Sequence, residues 1–241
     1  MKRLFPPMYD RPENWMPAAA LAYWVLAFPV IPTFMVLISD GLWGGREYNS
    51  WLDIVYHAIN AGVMVAMFKT YAVESFLNVQ LDTKKFFKTV GIALLVMLAL
   101  AWVLYNYPVR MVFNAYPINE MLLSITAGPM VDELPVFGTL CHVLITPIAV
   151  VGLFYVPVFA PMCCRKTWLG YLSLTVMLAI PTALDILWRG QAELAIPIFL
   201  LNLPMHLIAC WTYQKTDTVW APLATLAIFN LVTSVISIYL I

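Results

Sequence analysis

Apolar residues run along this chain in long blocks separated by short polar stretches, and not in the alternating pattern of strands. The blocks lie near residues 17–38, 51–68, 86–106, 121–160, 168–188, 193–213 and 220–240. Most match the ~20 apolar residues that carry an α-helix across a hydrocarbon core. A membrane β-barrel would show ~10-residue alternating segments, since only helices and closed barrels satisfy every backbone group inside a bilayer. The pattern predicts an all-α, polytopic transmembrane helical bundle. The 121–160 block is too long for one perpendicular helix, so it is either one long tilted helix broken near Thr146-Pro147 or two crossings.

Charge chooses between these. With seven crossings and a cytoplasmic N-terminus, Lys2, Arg3, Arg11, Lys69, Lys84, Lys85, Lys88, Arg165, Lys166 and Lys215 lie inside, ten of the 13 basic residues. Only Arg46, Arg110 and Arg189 lie outside, whereas eight crossings lower the asymmetry to eight against five. Seven is the expectation on the positive-inside rule. Residues 69–88 then read as a cytoplasmic connector lying partly on the inner leaflet. The first block is too long for a removable signal peptide and lacks its small-residue cleavage site, so it reads as a retained anchor. The expected organisation is a cytoplasmic segment 1–16, N-terminal helices and connector 17–120, and a transmembrane core 121–241.

Composition agrees with a membrane chain. Among 241 residues, 63% are hydrophobic and 11% charged, the formal net charge is +0, and the mean hydropathy is +0.84. The expected surroundings are membrane lipid, and the zero balance argues against nucleic acid as a partner. Four cysteines include adjacent Cys163 and Cys164 beside Arg165 and Lys166, a plausible acylation position at a membrane edge. Without CxxC or HExxH spacing, no metal and no cofactor is expected.

Candidate chemistry centres on GPMVDELPVFG, Gly128 to Gly138, which sets Asp132 and Glu133 inside apolar sequence. An ionised carboxylate at bilayer depth costs at least ~2.5 kcal/mol, which makes such a residue a functional-site hypothesis. A second segment, TYQKTDTVWAPLATLAIFN, runs from Thr212 to Asn230. Together the two segments resemble the CPBP family of CAAX-protease and Abi intramembrane endopeptidases, over roughly residues 121–240. Pro129, Met130, Glu133, Leu134 and Gly138 stand in register with the family's first motif, whereas Asp132, Val136 and Phe137 replace its first Glu, its Phe and its Arg. Counting from Trp220-Ala221-Pro222, the last-helix HxxxN motif places Leu226 at the His position and Asn230 at the Asn position. The middle FxxxH motif has no histidine in either candidate window, Ile180–Leu184 or Phe159–Cys163.

The resemblance implies a CAAX-protease-like fold in a bacterial cell membrane. It also implies catalytic positions at Asp132, Glu133 and Asn230, where a carboxylate and histidines activate water and the Asn polarises the oxyanion. With both histidines and the Arg replaced, a degenerate member that binds a peptide or membrane partner without cleaving it is expected. His206 is the candidate substitute for the missing imidazoles. Asn202 precedes it by four residues on one helix face, and Asp185 on the preceding block is a further candidate binding group. The functional reading joins Asp132, Glu133, Asp185, Asn202, His206 and Asn230 in a rebuilt polar centre; the plainer reading is interhelical hydrogen bonding. His142 follows Glu133 by nine residues, which an α-helix turns to nearly the opposite side. Asp53, His57 and Asn60 form a further stripe on the second block, read as either a proton-handling face or a solvated helix end. Two alternatives stay open: a divergent active endopeptidase using Asp132 or Glu133, and a small proton- or ion-coupled transporter.

Overall fold

The computed structural model describes residues 16–31, 34–35, 37, 50–104, 106, 134–189 and 192–239. Every described element is helical. α1 spans Met16–Val25 and widens into Leu26–Val30; α2 is Ser50–Leu81, α3 Thr83–Leu104, α4 Pro135–Arg165, α5 Thr167–Arg189, α6 Ala192–Thr216 and α7 Trp220–Tyr239. α2, α3 and α4 are long and apolar enough to cross a membrane, and they mark the chain as membrane-associated.

The 69–88 stretch is helical almost throughout. α2 runs through it to Leu81, and α3 starts at Thr83. Only Asp82 intervenes, its Oδ1 accepting the Lys85 N–H at 3.0 Å as a helix N-cap does. The polar residues that suggested a loop lie on an outer face: Lys69 and Glu74 are exposed, while Tyr71 and Ser75, four residues apart, are buried on the inner one.

α4 is the central helix. In its most apolar stretch, 67% is buried inside the molecule, against 22% for α2 and for α3. Every residue from Val151 to Ala160 is buried, the pattern of a helix apolar on all sides and packed on all sides. α1, α2, α5 and α7 all pack on it, and α3 packs on α6 and α7. Two glycines permit the closest approaches. A Cβ on Gly152 would lie 2.4 Å from the Met64 Cβ of α2, and one on Gly170 would lie 2.8 Å from the Cys163 Cβ across the α4–α5 turn.

The described part of the 121–160 block is one helical run, but an irregular one. Pro135 starts it, where a missing N–H has no cost. Two wide, π-type turns follow, Cys141–Ile145 and Val151–Phe159. Their cause is in the sequence: the rings of Pro147 and Pro157 oppose the carbonyls of Val143 and Leu153, four residues earlier, and each of those lies in a widened segment.

Candidate functional site

Pro147 sets up the site. Thr146 gives its N–H to Cys141 O in the wide register, five residues back. In that register His142 O would pair with residue 147, which is proline and has no N–H. The carbonyl is satisfied from another helix: Asn230 Nδ2 on α7 donates to His142 O at 2.8 Å. An orphaned backbone acceptor in an apolar core costs about 1–3 kcal/mol, so this bond holds α7 against α4.

His206 stands on α6, one turn after Asn202, as the four-residue spacing predicts. Its Nδ1 shares a 2.7 Å hydrogen bond with the hydroxyl of Tyr155, a residue of α4 with no exposed surface. A buried phenol needs such a partner, and the bond fixes the imidazole's orientation. Pro204 interrupts α6 between Asn202 and His206, as Pro147 interrupts α4.

His142, Asn202, His206 and Asn230 line one cavity of about 160 Å³ between α4, α6 and α7. Thr146, Met205, Leu226 and Phe229 complete much of its wall. His142 is buried, and its Nε2 has no hydrogen-bond partner among the described residues. Three of the sequence-derived site residues, Asn202, His206 and Asn230, thus meet. Asp132 and Glu133 lie outside the described residues, and of Asp185 only the backbone position on α5 is described.

His142 is the member that sequence reasoning turned away. The helix-wheel argument weighed His142 only as a partner for Glu133, which lies outside the described residues, and never against the last two helices, where the structure places it. The available signal was Pro147, five residues after His142, which leaves the His142 carbonyl open to Asn230. Leu226, at the motif position for a histidine, also lines the cavity. The Asp53, His57 and Asn60 stripe resolves in part into packing: Asn60 is buried and accepts the Tyr23 hydroxyl of α1 at 2.8 Å.

A second polar cluster lies where the α6–α7 turn seats on α2 and α3. Asn78 Nδ2 donates to Asp217 O at 2.7 Å, Trp220 Nε1 donates to Ala72 O at 2.8 Å, and the Tyr71 and Tyr213 hydroxyls bond to each other. Asp217 has φ 56°, a left-handed conformation that Asp tolerates better than most residues. Burial pushes its carboxyl up to about 7, with Lys85 pulling the other way.

Set against protein-family models, curated proteins and solved structures, the chain matches none.

Proposed function

We propose that this chain is an integral membrane protein that holds a small ligand in the α4–α6–α7 cavity without cleaving it. The observation that carries the reading is the convergence of His142, Asn202, His206 and Asn230, from three helices, on one cavity. Interhelical glue alone would close this space, whereas room is left between the three helices. A volume of about 160 Å³ is well above the ~10–15 Å³ that admits one water, room for a small ligand or for one side chain of a partner peptide. Seven crossings with a cytoplasmic N-terminus, in a bacterial cell membrane, complete the reading.

A degenerate CPBP-like ancestry is part of the proposal. Its support is that Leu226 and Asn230, the two last-helix motif positions, both face this cavity. One N–H of the Asn230 amide is already committed to the His142 carbonyl, a structural duty that competes with polarising an oxyanion. A transported ligand is the second reading, favoured by the proline-interrupted α4 and α6 on either side of the cavity.

Native mass spectrometry of the protein released from its own membranes tests the first reading. A small adduct is expected on the wild type and not on Val150→Trp, which fills the cavity. No adduct, or one that survives the filling, sinks it. New peptide N-termini appearing in membranes with the wild type but not with His142→Ala/His206→Ala would establish a protease instead. Proteoliposomes that pass protons in a His206-dependent way would favour transport.

A further inference from the structure

Three turns meet at one end of the bundle: residues 81–83 between α2 and α3, 165–167 between α4 and α5, and 216–220 between α6 and α7. Side chains tie them together. Asn78 reaches Asp217 across the first and third, and the Tyr171 hydroxyl donates to Gln214 Oε1 at 2.9 Å across the second and third. In and beside these turns stand Lys84, Lys85, Lys88, Arg165, Lys166 and Lys215, all of them exposed. Among the described residues no ion pair engages any of them. The carboxylates of the same turns face elsewhere: Asp82 Oδ1 accepts the Lys85 N–H, and Asp217 turns a buried Oδ1 into the protein. This end therefore presents a surplus of positive charge to its surroundings.

The helices that leave the turns carry apolar outer faces, and these start beside the cations. On α5, Trp168, Leu172, Val176 and Ile180 follow at four-residue steps, and all four are exposed. On α3, exposed Phe87 stands between Lys85 and Lys88, with exposed Leu95 eight residues on. On α7, Trp220 opens a face that Ile228 and Val235 continue. An aromatic ring between cations and aliphatic side chains marks the depth of lipid headgroups, and long Lys and Arg side chains reach past such a ring to the phosphates. A soluble acidic partner would satisfy the cations and leave the apolar faces in water. A phospholipid satisfies both, with acyl chains along the face and its phosphate among the cations. The sign of the charge narrows the class further. A zwitterionic headgroup brings a cation of its own, which this surface repels, whereas an anionic headgroup is attracted by every Lys and Arg near it.

We propose that this end of the bundle is a docking surface for anionic phospholipid. One headgroup sits at Arg165 and Lys166, with a chain along Trp168, Leu172 and Val176; another sits at Lys84, Lys85 and Lys88 beside Phe87. The surface stands on the chain lying in a membrane and owes nothing to the α4–α6–α7 cavity. Under the proposed topology it faces the inner leaflet.

The test uses the full chain in phosphatidylcholine vesicles, with spin-labelled phosphatidylglycerol and phosphatidylcholine compared by electron paramagnetic resonance for their association with the protein. The wild type is expected to prefer phosphatidylglycerol by about 5-fold or more, the factor that one Lys or Arg near the headgroup supplies. Because the cations are exposed, the preference should shrink between about 0.1 M and about 1 M NaCl, where the screening length falls from ~10 to ~3 Å. Both measurements need no variant to fold. Arg165→Gln/Lys166→Gln and Lys84→Gln/Lys85→Gln/Lys88→Gln should each reduce the preference, and the combined variant should treat the two lipids alike.

Four results would overturn the surface: no preference in the wild type, a preference indifferent to salt, one that persists in the combined variant, or displacement of the labelled lipid by soluble polyglutamate. The last would assign these cations to an acidic protein. Loss of the small adduct expected in the cavity would leave the lipid preference standing, and the reverse also holds.

Discussion

α7 carries two polar clusters that solve the same problem differently. At its start, Trp220 Nε1 reaches Ala72 O, while Asn78 on α2 reaches Asp217 O in the preceding turn. Further along, Asn230 donates to His142 O. In each case a side-chain amide or indole N–H satisfies a backbone carbonyl on another element. The surroundings differ. The turn is pressed into the elbow of α2 and α3, where Phe86, Val90 and Ala221 close the packing. The Asn230 bond instead forms one wall of a cavity. Polar groups inside this bundle close on each other in one place, and in the other they border open space where proline has widened the helix beside them.

The largest perturbation would break both clusters at once. α2 carries the turn's partners and α4 the cavity's wall, and Gly152 is where these helices touch. Gly152→Ala should destabilise the protein by about 3 kcal/mol in denaturant titration, because Met64 meets the new methyl with its Cβ and not with a flexible tip. Asn230→Ala should cost about 2 kcal/mol by stranding the His142 carbonyl. Pro147→Ala supplies the missing N–H at the right position, so in a double-mutant cycle it should recover about 1 kcal/mol of that loss. Additive costs would mean the Asn230 bond does not serve the proline-broken turn.

At the closed cluster the effects are smaller. Trp220→Phe keeps the ring beside Phe76 but loses the bond to Ala72 O, and a fall of about 1 kcal/mol in unfolding free energy is expected. Asp217 gives this cluster a pH dependence. Burial pushes its carboxyl up to about 7 in the folded protein from an ordinary 3.8, so the folded state binds the extra proton between those values. Stability from this group is complete below about 4, falls as pH rises, and is gone above about 7. Asp217→Asn keeps the left-handed turn and should flatten the thermal-midpoint profile over that range; an unchanged slope would place the titration elsewhere.

Long apolar blocks made the helices legible, since each had to be continuous to satisfy its own backbone in lipid. The α2–α3 elbow was not legible, because Lys69 and Glu74 look the same in a loop as on the outer face of a helix. At the site, Asn202 and His206 followed from their spacing and Asn230 from its register after Trp220-Ala221-Pro222. His142 was hidden because it was weighed only against Glu133 on its own helix, while its place at the cavity comes from α6 and α7, far away in sequence. Asp217 was hidden because its environment comes from α2 and α3, far away in sequence.

The most direct measurement is an experimental density map of the wild-type protein extracted with its own lipids, at a resolution that shows side chains. The account predicts non-protein density between His142, Asn202, His206 and Asn230, with Asn230 on the His142 carbonyl. A cavity collapsed onto its own side chains, with His142 Nε2 hydrogen-bonded to a protein group, would contradict it.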